Sequence, residues 1–272
     1  MQPPSAKDTK RISHVPGGAV VERQSFEGAL ESHREGVLPD AAYHPSMYAF
    51  GDPTEDLVLR HCRFAMFQHP VQTSLDARPT LRRLTLERCH FTASELGPVI
   101  LEDALIDTIW IHRGMWGPQK LVGCAFNRVV IRGRINGGVR FVPSMDWMVN
   151  RPLAPAVDDP FVRANQSYYE GVDWALDIGS AEFTGIEMSH CDIPARLIRR
   201  DRETQVVVTR ESARRGDWRA ASEGSSAWVG IERFLGSGFG DTVLVAPKRS
   251  KSLEVDLAAF RHLRDIGVAL AD

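Results

Sequence analysis

Three places in the chain set a histidine beside a cysteine: His61 with Cys62, Cys89 with His90, and His190 with Cys191. Thiolate and imidazole are the commonest ligands of structural zinc, so these pairs are the first chemistry to weigh. Their geometry speaks against it. In an extended chain, neighbouring side chains point to opposite faces. An inward cysteine therefore sends its histidine outward, and no single pair can chelate one ion. With Cys124 these residues account for all four cysteines, and no Cys-x-x-Cys spacing occurs. The reading is four reduced thiols serving as small buried apolar side chains, with no metal and no cofactor.

Two other stretches carry candidate chemistry. The long segment 143 to 173 holds Trp147, Phe161, Tyr168 and Tyr169 beside Asp158 and Asp159. Aromatic residues are favoured binding anchors. The plainer reading is a flap packed over the rest of the fold. Between Arg196 and Arg219 stand eight arginines against four acids. Arg199, Arg200 and Arg202 open that run and suit bidentate contacts with carboxylate or phosphate, although a solvated surface has the same composition. The nine residues expected to bind a partner are thus Trp147, Phe161, Tyr168, Tyr169, Asp158, Asp159, Arg199, Arg200 and Arg202. "GSGFG" at 236 to 240 follows an expected helix and precedes a strand, the reverse of a dinucleotide-binding loop, and reads as a helix-ending turn. Asp103, Asp107, Asp173 and Asp177 flank apolar stretches as outward carboxylates. No Ser-His-Asp or Cys-His arrangement is visible, so no catalytic residue is assigned.

The elements that must hold these residues show themselves in a period. Leu81, Leu101 and Leu121 are 20 residues apart, as are Leu86, Ile106 and Phe126, and Phe91, Ile111 and Ile131. Within each unit the large apolar positions fall five apart. A smaller residue often sits two before the large one: "CRF", "CHF", "CAF", "AEF", "CDI". Five is neither the 3.6 of a helix nor the 2 of a strand. A chain that turns a corner about every five residues and stacks its coils satisfies it.

These small-x-large steps resemble pentapeptide-repeat proteins, over about 57 to 141 and 174 to 193. The resemblance implies a mainly β fold, a right-handed four-sided β-helix with coils of about 20 residues. It also implies a broad face presented to a protein partner. Some members of that family imitate DNA, a use the near-neutral charge argues against. The Asp or Asn that the family places between small and large is replaced by Arg63, His90 and Ala125 and kept only at Asp192. An ordinary β-helix or an irregular β-sandwich would meet the same spacing.

Three regions follow. Residues 1 to 50 read as an arm and cap, with a short helix in "SFEGALESHREG". Residues 51 to 198 read as the β-helix with a loop insertion at 143 to 173. Residues 199 to 272 read as a C-terminal α/β cap or lobe. In that last region strands are expected at 204 to 209 and 241 to 247. One helix starts at an N-cap Ser226 and stops before Gly236. A second starts at an N-cap Ser252 and is closed by Gly267.

Composition limits the function. The chain has 272 residues, 43% hydrophobic and 25% charged, with a formal net charge of -2. That disfavours nucleic acid as a partner. No apolar run approaches the roughly 20 residues of a membrane span, and the first residues lack the apolar centre of a secretory signal, so a cytoplasmic setting is expected. The best reading is a non-enzymatic protein-binding module of bacterial character. An immunity-type or inhibitor protein recognising one partner would fit it. One alternative is an enzyme or binding protein for a phosphorylated or saccharide ligand, using the 143 to 173 loop and the arginine cluster. Another is a structural module that assembles into homo-oligomers.

Overall fold

A computed structural model describes residues 20–22, 25–27, 54–61, 63–65, 78, 80–92, 95–96, 98–112, 119–144 and 154–270. Of the N-terminal helix expected at 25 to 36, Ser25–Glu27 is instead a strand and the rest lies outside the described residues, as do Cys62 and Trp147.

The fold is α/β. A 13-stranded sheet whose pairings are all parallel runs beside a 4-stranded parallel sheet, and helices pack with a separate 2-stranded antiparallel sheet. This corrects the mainly β, pentapeptide-repeat-like β-helix expected from the sequence. The described residues do not form uniform 20-residue coils. Ion-paired neighbours on adjacent strands or bends are 27 residues apart at Asp56 and Arg83, 20 at Arg82 and Glu102, and 25 at Asp103 and Arg128. The strand Val129–Val142 runs through 14 residues instead of breaking at every fifth. An apolar spacing of five fixes which side chains turn inward. It does not fix how many residues each connection holds, nor what packs beside the strands.

The inward rows illustrate the point. Leu59, Leu86, Ile106 and Ile131 face one another across successive parallel strands, and all are buried. Leu81 and Leu101 are likewise in register. The next partner of Leu101, however, is Phe126 and not Leu121. Leu121 sits instead between Leu96 and Phe141. The sequence period assigned Leu121 to the wrong row, because inserting five residues leaves a five-residue pattern in phase.

The bends between strands, and an irregularity at Thr108 inside the strand Leu105–His112, are left-handed at ordinary residues: Asp56, His61, Arg83, Arg88, Asp103, Thr108 and Arg128 all have φ between 52° and 56°. A non-glycine residue there costs roughly 1–2 kcal/mol. The bend amides are compensated by hydrogen bonds to the neighbouring strand: Asp56 donates to the Arg82 carbonyl at 3.0 Å and Arg83 to the Glu102 carbonyl at 2.8 Å. Their side chains alternate in charge, so Arg83 pairs with Asp56 and Arg128 with Asp103 on adjacent bends.

Part of the expected 143 to 173 loop is a helix, Pro160–Tyr169. Asp159 caps it by accepting the Phe161 amide at 2.8 Å, and Pro160 takes the first helical position, where its missing N–H costs nothing. Phe161, Val162, Asn165 and Tyr169 form its buried side.

In the C-terminal region the strands Gln205–Thr209 and Asp241–Val245 pair antiparallel. Four helices accompany them: Arg210–Arg215, Trp218–Ser222, Ser226–Ser237 and Leu253–Asp265. Trp218, Phe234 and Phe260 centre a second core, while Val207, Val243 and Val245 join the core of the parallel sheet. Two expected boundaries shift slightly. The N-cap of Ser226–Ser237 is Ser225, and the Ser226 amide donates to buried Asp256 at 2.7 Å. That helix ends at Gly238, with φ 91°, and not at Gly236. Gly267 follows the last helix with φ 70°.

Candidate functional site

The expected arginine surface begins on the two-residue strand Ile198–Arg199. It pairs with Leu176–Asp177 and with no other described strand. Alternation buries Ile198 in the core and leaves Arg199 exposed. The Arg199 guanidinium lies 4.0 Å over the ring of Trp174. Contact with an aromatic face holds a guanidinium in place without using its hydrogen-bond donors. Arg200 is half-buried. Burial, together with the nearby charges of Arg202 and Arg264, lowers its pKa. Arg264 in turn donates to the Arg202 carbonyl. Asp201, the acid within this turn, is already engaged by Lys248 at 2.7 Å, the Glu203 amide at 3.0 Å and the Thr204 hydroxyl at 3.0 Å. Burial pushes its carboxyl up, but those bonds outweigh burial and hold it below the usual carboxylate range. The arrangement can bind a carboxylate or phosphate group from outside the chain.

Three other arginines of the run are engaged within the chain. Arg210 donates to the carbonyls of Phe239, Leu235 and Phe234 at 2.7, 2.9 and 3.2 Å and so closes the helix Ser226–Ser237. Arg215 pairs with Glu211, and Arg219 lies over Trp218.

The described residues expected from 143 to 173 are engaged with other partners. Phe161 and Tyr169 are buried, and the Tyr169 hydroxyl accepts the Phe126 amide at 3.3 Å. Tyr168 is half-buried and donates to Glu102 at 2.9 Å; burial and that carboxylate push its phenol up. Asp159 is a buried cap that also accepts the Ser144 hydroxyl at 2.6 Å. Asp158 is exposed, and its carbonyl accepts Arg163. Phe161, Tyr169 and Asp159 are thus packed into the fold.

Comparison with known proteins finds no match. No protein-family model, no characterised protein and no solved structure aligns with the chain. The resemblance to pentapeptide-repeat proteins therefore receives no support from a family model.

Two further arrangements carry no signal in the sequence. A cleft of about 260 Å³ opens between the end of the strand Ala181–Glu187, the helix Ser226–Ser237 and the strand Asp241–Val245; its polar lining includes Glu187, Ser189, Ser226 and Arg233. Glu187 receives Arg233 at 2.8 Å, the Ser189 hydroxyl at 3.0 Å and Arg140 at 3.3 Å. Burial raises its pKa, but His190 and the two arginines prevail and hold it at about 2.

The second arrangement lies under the helix Pro160–Tyr169. Buried Asn165 donates to Asp192 at 2.8 Å and to the Cys124 carbonyl at 3.1 Å, while Arg78 donates to the Asn165 amide oxygen. Asp192 keeps some solvent exposure as a residue, yet its carboxyl is enclosed. Burial lifts it to about 7 against the opposing pull of Asn165 and Arg78. Burial also pushes the Cys124 thiol to about 12 and raises Cys191. Cys89, Cys124 and Cys191 are buried and form no disulfide; the weakened acidity of Cys124 and Cys191 makes them poor nucleophiles. Among the described residues no helix is long and apolar enough to cross a membrane.

Proposed function

We propose that the protein is a non-enzymatic binding module that takes an acidic surface of one protein partner on the turn from 199 to 202. The observation that carries this is the exposed Arg199 held over Trp174. Arginine and tryptophan dominate binding energy at protein interfaces, and a side chain fixed before binding loses less entropy on contact. The partner's acidity follows from the charges. Arg200 feels Arg202 and Arg264, and an incoming carboxylate relieves that repulsion. The binding free energy is therefore a difference between the free and bound patch. An inhibitor or immunity-type protein needs such a patch on a fixed scaffold, which parallel strands on a shared core supply.

A titration of the full chain with poly-glutamate, followed by NMR, tests the reading. Shifts confined to Trp174 and the 199 to 202 turn, and suppressed by added salt, are expected. Shifts elsewhere, or none, count against it.

The convergence of Arg200, Arg202 and Arg264 favours a second reading, a phosphorylated ligand at the same turn. Inorganic phosphate separates the two. Under this reading it saturates the turn and displaces poly-glutamate; under the first it acts only as salt.

A further inference from the structure

We propose that the cleft beside the strand Asp241–Val245 binds a short extended peptide segment carrying a carboxylate, joined to that strand by main-chain hydrogen bonds. The cleft shares no residue with the turn from 199 to 202 and does not depend on the function proposed there. The observation behind it is an unpaired strand edge. Val207 stands opposite Val243 and Gln205 opposite Val245 in the antiparallel pair. Just beyond the pair, the Arg210 amide donates to the Gly240 carbonyl at 2.8 Å and the Ala246 amide to the Thr204 carbonyl at 2.7 Å. Hydrogen bonding alternates along an antiparallel pair, so Thr242 and Leu244 also turn their N–H and C=O groups to the partner strand. Val243 and Val245 turn theirs the other way. Val207 does the same on the opposite edge, where its carbonyl accepts the Leu270 amide at 2.9 Å. Among the described residues, nothing plays that part for Val243 and Val245.

Both valines are buried, and both line the cleft. Buried main-chain groups are nearly always paired in folded proteins. Two donors and two acceptors left over on one edge therefore mark a place for a matching partner. Their two-residue spacing is the complement of another extended main chain, the pairing by which peptides add to a sheet edge. The cleft of about 260 Å³ is smaller than the roughly 300–1,000 Å³ of drug-sized ligand sites. It suits a short length of one chain. A second copy of this protein could not bring its own Val243 and Val245 here, because they are recessed in the same way.

The lining decides the charge of the peptide. Glu187 is already engaged by Arg233, Ser189 and Arg140, so it offers little to a cationic ligand. Arg233 reaches Glu187 through Nη1, and its side chain is 47% exposed. A guanidinium carries five N–H donors in a fixed fork, so donors remain for a carboxylate from outside. Ile186, Met188 and Val229 supply the apolar wall. Val229 and its neighbour Trp228 are exposed on the first turn of the helix Ser226–Ser237, which gives the cleft an apolar rim.

Calorimetric titration of the full chain with the capped peptide acetyl-Thr-Val-Glu-Val-Thr-amide tests the proposal. The expected result is one saturable event that acetate does not displace. N-methylation of the peptide's two valine nitrogens removes main-chain donors and should weaken binding at least about tenfold. Arg233→Gln should weaken it by a similar factor, the scale of one charge-assisted hydrogen bond. Because Arg233 also holds Glu187, Val229→Asp gives an independent check. It places a carboxylate one helical turn before Arg233, where it competes with the peptide, and should also weaken binding. Arg199→Glu should leave the affinity unchanged. No saturable binding, equal affinity for the N-methylated peptide, or displacement by acetate would overturn the proposal. So would equal affinity in both Arg233→Gln and Val229→Asp, or loss of binding in Arg199→Glu, which would assign the peptide to the arginine turn.

Discussion

The guanidinium of Arg199 rests 4.0 Å above the indole of Trp174, at the outer end of a parallel sheet whose inward side is closed by Ile198 and Leu176. One residue of the pair alternates outward from a buried strand, and the other supplies the surface on which its charge rests. If the pair acts as a unit, removing either partner should have much the same effect. Trp174→Ala and Arg199→Ala are expected to be non-additive in a double-mutant cycle. The coupling should be about 0.5–1 kcal/mol in urea denaturation, the size of an exposed cation–π contact. Additive effects would mean the contact does not persist in solution.

Asp192 makes stability depend on pH in an unusual direction. Its folded pKa is about 7, against an ordinary value of 3.8. Between those values the folded chain holds the proton that the unfolded chain releases. This group's contribution is therefore fully present below about pH 4, falls as pH rises to about 7, and is flat beyond. Asp192→Asn keeps an acceptor for Asn165 and removes the titration. The variant should gain in melting temperature over the parent at about pH 8 and lose that gain near pH 4. Calorimetry at the two pH values decides it.

Glu187 has the opposite sign. Its pKa is held near 2, below the ordinary 4.5, so its contribution is present above about pH 4.5 and disappears as pH falls through 2. Glu187→Gln should cost on the order of 2 kcal/mol at neutral pH. A tenfold change in a proton-binding constant is worth about 1.4 kcal/mol, and solvent screening of this partly exposed group reduces the total. The cost should shrink steadily under acid. A pH-independent loss would point to packing in the cleft in place of the ion pairs with Arg140 and Arg233.

Leu101 distinguishes what the sequence shows from what it hides. Its burial is legible, because apolar residues at a spacing of five mark the inward side. Its neighbour is not legible, because a five-residue insertion preserves that pattern and puts Phe126 where Leu121 was expected. Leu101→Ala should therefore couple with Phe126→Ala by about 0.5–3 kcal/mol and act additively with Leu121→Ala. Denaturation of the single and double variants checks both pairs.

The same limit explains the fold class. The spacing describes the strands and is silent about the helices that pack with them. Asp159-Pro160 followed by Phe161, Asn165 and Tyr169 is a readable helix start with a buried side, hidden in a stretch dominated by polar residues and prolines. In the C-terminal region the two expected strands and two expected helices fall within a few residues of their expected ends, whereas the short helices Arg210–Arg215 and Trp218–Ser222 were not expected. For the candidate site, composition located Arg199, Arg200 and Arg202. Trp174 under Arg199 and Arg264 beside Arg202 come from distant segments, and no local pattern joins them.

The central claim is that the arginine turn recognises an acidic protein. Affinity capture from the native host tests it most directly, comparing the full chain with an Arg199→Glu, Arg202→Glu variant that keeps its circular dichroism spectrum. One stoichiometric acidic protein, retained by the parent at low salt, released at high salt and lost from the variant, is the predicted result. The same protein captured equally by both chains would contradict the account.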